Sequence, residues 1–121
     1  MKTVLDQLAD FIEESRDRLT CNQWISDDDM KVYIRKGRHM LYPGRSSLTL
    51  DIASVEVQEE KRGKGLWTAF LGKAHEMNPR EATYIECVHN PILQASLIKH
   101  GWPSVWDSEN LLESFFLLKE K

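Results

Sequence analysis

Val57-Gln58-Glu59-Glu60-Lys61-Arg62-Gly63-Lys64-Gly65 lies between two segments of different periodicity. On its N-terminal side Leu48, Leu50 and Ile52 alternate with polar residues, the period of a strand running from Ser47 to Val57. Val55 and Val57 resume that alternation one residue out of phase, which is what a β-bulge produces, and a bulge re-aims the chain. On its C-terminal side Leu66, Trp67, Phe70, Leu71 and Ala74 recur at helical spacing until Asn78-Pro79 ends the helix. A short segment rich in strand formers, Ala82 to Val88, comes next. Strand, glycine loop, helix and strand in this order predict a parallel pair joined by a crossover, with any ligand beyond the carboxyl ends of the strands. Gly63 and Gly65 fall at that end. Glycines let successive N–H groups face one point, and a helix N-terminus adds partial positive charge. With Lys61, Arg62 and Lys64 beside them, the matching ligand is a phosphate or pyrophosphate. The stretch is neither a Walker loop nor a dinucleotide fingerprint, because the further residues those motifs need are missing.

Outward from this segment, Val4, Leu5, Leu8, Phe11, Ile12 and Leu19 form one stripe of an amphipathic helix over residues 3–19. Thr3 is its N-cap, and with Gln7 four residues on, a plain cap rather than a capping box is expected. The polar stretch 20–29, ending in Asp27-Asp28-Asp29, reads as a loop. Met30 to Arg35 alternates as a strand, Lys36-Gly37 reads as a turn, and His39 to Tyr42 as the hairpin partner closed by Pro43-Gly44. Asn90-Pro91 opens a helix that Gly101 stops and Pro103 follows. Glu113 to Lys119 reads as a final strand, preceded by a short one near Val105-Trp106.

At 121 residues, 41% of them hydrophobic, the chain is one α/β domain, 1–121, able to bury a core without a metal or disulfide staple. A net charge of −3 argues against generic phosphate-backbone binding, so no direct nucleic-acid partner is expected. No apolar run is long enough to span a membrane, and Lys2 and Asp6 interrupt any secretory segment. Cys21 and Cys87 follow no ligand spacing, a reduced pattern that fits the cytoplasm, and no metal site is expected. Cys87 reads as a small core hydrophobe, and Trp24, Trp102 and Trp106 as packing residues.

The segment Val57 to Gly65, with Arg62 and Gly65 in register, resembles motif A of the GNAT superfamily of acyl-CoA-dependent N-acyltransferases. Asn90, the helix after it, and Gly101-Trp102 resemble motif B, so the likeness covers residues 48 to 102. It implies a mixed, mostly antiparallel central sheet flanked by helices, with a splayed parallel pair at about 48–57 and 82–88 and a short N-terminal half. It also implies acetyl-CoA as co-substrate. Its pyrophosphate would rest on the loop amides of Arg62, Gly63, Lys64, Gly65, Leu66 and Trp67, with Asn90 at the second motif. Its pantetheine arm would run between the splayed strands against the backbone of Val55 and Val57, the Val57 N–H polarising the thioester carbonyl.

The acceptor implied is an amine on a small molecule or a protein lysine. The acidic run at Asp27 to Asp29 favours a cationic one, such as lysine, a polyamine or an amino sugar, or is simply a solvated loop. Asp51, eleven residues before Arg62, stands where one branch of the family has its glutamate base; otherwise it is a polar residue on a solvent face. Glu56 and Glu86 are reserve acids, and His89 is a further proton-transfer candidate. Two departures matter. Trp67 replaces a small residue and must turn into the core or cover the phosphate edge. Leu97 replaces the tyrosine that protonates the leaving thiolate, with Ser96 and His100 as neighbours. These departures keep a second expectation open, a catalytically reduced fold that binds a protein partner.

Overall fold

The computed structural model describes residues 2–18, 21–42, 45–61, 65–88, 91–107 and 112–119. Helix α1 (Val4–Glu14) leads into strands β1 (Asn22–Ser26), β2 (Met30–Tyr42) and β3 (Arg45–Val57). A single 3-10 turn at Glu59–Lys61 precedes helix α2 (Leu66–Met77), then come β4 (Ala82–Val88), α3 (Pro91–Lys99), β5 (Ser104–Asp107) and β6 (Leu112–Leu118). The strands form one sheet in the order β1-β2-β3-β4-β6-β5. Among the described residues only β3 and β4 pair in parallel; every other neighbouring pair is antiparallel. This is the mixed sheet with one parallel pair that the sequence leads one to expect.

Successive strand residues face opposite sides, and the two sides differ in what covers them. Val32, Ile34, Leu50, Ile52, Ile85 and Phe115 meet Val4, Leu8 and Phe11 of α1, Phe70, Leu71 and Ala74 of α2, and Leu97 of α3 in one buried core. The alternate residues Leu41, Ala82, Tyr84 and Phe116 make a second, smaller cluster that none of those helix residues joins. The helices are therefore committed to one face, and the other is closed by the sheet's own side chains. Two glycines with positive φ set helix ends: Gly65 (φ 76°) is the N-cap of α2, and Gly101 (φ 83°) follows α3. At Gly101 the N–H bonds the Ile98 carbonyl and the Trp102 N–H reaches back to Leu97, the two bonds of a Schellman motif.

Three local expectations change. The Thr3 cap is a full capping box, because Asp6 at the third helical position bonds the Thr3 N–H while the Thr3 hydroxyl takes the Asp6 N–H. Gln7 instead exchanges two hydrogen bonds with the Ser26 backbone, tying α1 to β1. The supposed loop at 20–29 contains β1, whose only buried side chain is Ile25, so its alternation is nearly invisible. The acidic run is the β1–β2 turn. One Asp27 oxygen accepts the N–H groups of Asp29 and Met30, and the other accepts Val4 N–H at the start of α1. Finally, Lys36-Gly37 is not a turn. Strand β2 runs straight through it, paired with β3 from Met30↔Val57 to Tyr42↔Arg45.

The expected bulge is present where the phase slips. Tyr33 pairs with Ser54 and Ile34 with Ile52, which leaves Ala53 as the extra residue of β3.

Candidate functional site

The parallel ladder between β3 and β4 runs from Thr49↔Ala82 to Ile52↔Ile85 and stops. At that level both strands are irregular: β3 carries the Ala53 bulge, and β4 shifts register against β6 between Ile85 and Val88. Beyond the bulge Val55 and Val57 turn back toward the main core and are half-buried against it, while Glu56 stays exposed opposite Lys31. The 3-10 turn that follows is braced from the β1–β2 turn, where Gln58 N–H bonds the Asp29 carbonyl and Lys61 pairs with the Asp29 carboxylate at 3.4 Å. Asp27 and Asp29 are thus engaged in holding this corner together.

Gly65 begins α2 in the left-handed region, exposed, with nothing within 4 Å of where a Cβ would stand. Its backbone serves the helix, since Ala69 N–H bonds the Gly65 carbonyl. Leu66 and Trp67 follow, both half-buried. Arg62, Gly63 and Lys64 of the expected phosphate loop, and His89 and Asn90, lie outside the described residues.

Trp67 lies partly against the main core, 6.2 Å centroid to centroid from Phe70, and lines a groove of about 160 Å³ between α2 and α3. Thr68, Leu71, Ser96, Leu97 and Trp102 complete much of that groove. The indole Nε1 is buried, and no described residue accepts a hydrogen bond from it. Leu97 is buried at 2% exposure and offers the groove no hydroxyl. His100 also lines it, with Nδ1 bonded to the Ser96 carbonyl.

On the opposite face of the sheet, Asp51 is fully buried rather than solvent-facing. Its Oδ2 accepts Arg35 Nε at 2.9 Å and lies 2.8 Å from His39 Nε2, while Oδ1 accepts the Thr49 hydroxyl at 2.5 Å. The His39 ring stacks on Tyr84 with centroids 3.7 Å apart. Arg35 continues through Nη2 to Glu86 Oε2 at 2.5 Å. Burial pushes the Asp51 carboxyl up, but the hydrogen bonds from His39, Thr49 and Arg35 outweigh it and hold the group below its ordinary value. Asp27 behaves alike: its partial burial is outweighed by the three backbone N–H donors. Arg35, Gly37, His39 and Thr49 had no place among the expected site residues. Their signal is the two-residue spacing of Arg35, Gly37 and His39, which shares one face only if β2 is continuous.

A group whose folded pKa is depressed stabilises the fold above its unfolded value and loses that contribution as pH falls through the folded one. Stability in urea is therefore expected to hold from pH 7 to about pH 4, near the carboxylate reference, and to fall steeply below it. Asp51→Asn should be less stable at pH 7 and show a flatter acid limb. An acid limb as steep as that of the unaltered protein would remove Asp51 as a source.

Two solved structures share this architecture. The chain superposes on a variant of the toxin AtaT, bound to the C-terminus of the antitoxin AtaR and to acetyl-CoA, with a TM-score of 0.56. That match covers 88% of this chain and 72% of AtaT at 9% identity. The chain has a GNAT-like fold. A KacTA–DNA complex matches with a TM-score of 0.53 over 93% of this chain and 79% of the other, at 13% identity. No protein-family model matches the sequence, and no curated protein matches it. Among the described residues no helix is long and apolar enough to cross a membrane, and no three potential ligand side chains gather around a metal position.

Proposed function

We propose that this protein transfers the acetyl group of acetyl-CoA directly to an amine. The observation that carries this reading is the end of the β3–β4 ladder at Ile52↔Ile85, where both strands turn irregular, with an open glycine starting the helix that follows β3. Two parallel strands that part at their carboxyl ends leave room for an extended thioester arm, and main-chain groups line the gap. In the transition state the thioester oxygen becomes an oxyanion, and a main-chain N–H lining the gap stabilises it whatever the side chain. The CoA pyrophosphate sits on the N-terminal amides of α2 from Gly65 onward, and Arg62, Gly63 and Lys64, just before them in sequence, and Asn90, just before Pro91, are the further groups assigned to it. That the AtaT structure holds acetyl-CoA on the shared fold supports the choice of co-substrate.

The amine nitrogen forms the new C–N bond, the C–S bond breaks with its electron pair on sulfur, and one amine proton must leave. At pH 7 an alkylamine is neutral in only about one molecule in a few thousand, so a proton acceptor beside the gap accelerates the step. Leu97 gives the thiolate no acid, and CoA leaves as the anion.

Calorimetric titration with acetyl-CoA and with desulfo-CoA tests the reading. Micromolar binding, about −8 kcal/mol, is expected for both. No heat and no thermal stabilisation at millimolar ligand would exclude acetyl transfer and leave a protein-binding role.

A further inference from the structure

The helix-free face of the sheet carries a chain of charges that ends at the gap between β3 and β4. Asp51 is its closed end, with a side chain 1% exposed. Glu86, the first residue of β4 past the ladder, is its open end at 32%. Arg35, also 32% exposed, joins them with two different nitrogens of one guanidinium. Taking such charges out of water costs several kcal/mol per ion unless geometry compensates, and apolar side chains of the same volume would carry no such cost. Here the compensation is unusually complete. Asp51 receives Arg35, His39 and Thr49, His39 is pinned by its stack on Tyr84, and a nearby arginine, Arg80, bonds the Gly37 carbonyl and acts on Asp51 through its charge. The arrangement fixes the direction of the Arg35 fork, which reaches across β3 to a carboxylate on β4.

We propose that Glu86 takes the proton of the acceptor amine, and that Arg35, clamped by Asp51, is the positioning residue that aims it. This rests on the acetyl-transfer reading and assigns its acceptor as a cationic primary alkylamine. Asp51 does not serve as the base: both oxygens are engaged, and the Gly37 backbone stands directly over the carboxylate. Glu86 differs. Arg35 occupies Oε2, and no described residue bonds Oε1. Glu86 shares the helix-free face with its partner Arg35, so an amine can approach it without displacing a ligand bound along α2. A protonated alkylamine is drawn to the carboxylate and gives it one proton. That proton passes from Glu86 to solvent, the nitrogen lone pair forms the C–N bond, the C–S electron pair leaves on sulfur, and Glu86 takes the second proton, which the nitrogen sheds as the amide forms. A guanidinium bonded to Asp51 through Nε and to Glu86 through Nη2 fixes one carboxylate relative to the other through its planar fork, which the single nitrogen of an ammonium cannot do.

The test follows thiol release from acetyl-CoA by the full chain, with poly-lysine and with spermidine as acceptors. Glu86→Gln should lower kcat about 100-fold, the usual contribution of a positioned base, while the acetyl-CoA Kd is unchanged. Arg35→Ala should lower kcat about 10-fold, and millimolar guanidinium should restore most of the loss by refilling the site between Asp51 and Glu86. Because Arg35→Ala uncovers a buried carboxylate, Arg35→Lys serves as the second variant. It keeps the charge and the fold, read as an unchanged thermal melt, and still loses kcat. Wild-type turnover by Glu86→Gln, full activity in Arg35→Lys, or a folded Arg35→Ala that guanidinium does not rescue would each overturn the proposal. So would a wild-type protein that binds acetyl-CoA and acetylates neither probe. A wild-type protein that does not bind acetyl-CoA would instead remove the acetyl-transfer reading, and calorimetry separates the two.

Discussion

Gly37→Ala is expected to destabilise the protein by about 3 kcal/mol, a large effect for one methyl group on a strand. A Cβ at position 37 would stand 2.3 Å from Asp51 Oδ2 and 2.7 Å from its Cγ. Real Cβ atoms do not approach that closely, so one of the two must move. The carboxylate cannot swing away cheaply, because Arg35, His39 and Thr49 hold it from different sides and it is fully buried. Moving it breaks charge-assisted hydrogen bonds in a place without water to replace them. Moving β2 instead breaks the ladder between Gly37↔Thr49 and its neighbours. Urea unfolding at pH 7 measures the loss, and a change below about 0.5 kcal/mol would mean the carboxylate has another resting place. The double variant Gly37→Ala with Asp51→Ser should recover part of the deficit, since the clash vanishes with the carboxylate.

Gly65→Glu should leave the fold nearly intact and reduce acetyl-CoA affinity at least about 100-fold, roughly 2.7 kcal/mol. The position is exposed with nothing within 4 Å, so no packing is lost; the left-handed φ of 76° costs a non-glycine residue about 1 kcal/mol. What changes is the space in front of the first turn of α2. A carboxylate there occupies the open space beside a bare backbone and opposes the pyrophosphate that the acetyl-transfer reading places there. The two glycine variants should therefore separate cleanly, one losing stability and the other losing ligand. Calorimetry of Gly65→Glu beside its thermal melt reads both, and micromolar binding retained by a folded variant would place the phosphates elsewhere.

The parts of this structure legible in the sequence are those in which a local rule and the tertiary environment agree. The phase slip after Ile52 is the Ala53 bulge, and Leu66 to Met77 forms its helix between a glycine start and Asn78-Pro79. The Schellman stop at Gly101 follows in the same way. What was hidden is what depends on partners far away in the chain. Lys36-Gly37 has the composition of a turn, yet Lys36 reaches back to the carbonyls of Ser15 and Arg18, and Gly37 is there for an atom of Asp51 fourteen positions later. A glycine inside a strand signals either a bend or a close approach, and composition alone does not distinguish them. Strand β1 hides because its outer face is water and only Ile25 enters the core. Asp51 looks like a surface residue because its neutralising partners, Arg35 and His39, lie on a strand that the turn reading cuts in two.

The contact between Gly37 and Asp51 also constrains how this protein can change over generations. A side chain at 37 clashes until residue 51 has become smaller, whereas a smaller residue at 51 gives up the carboxylate's hydrogen bonds but meets no clash while 37 remains glycine. Substitutions at the two sites therefore have a permitted order, and the reverse order passes through a poorly folded intermediate. Descendant sequences should carry glycine at 37 wherever an acid persists at 51, so the pair is inherited as a unit.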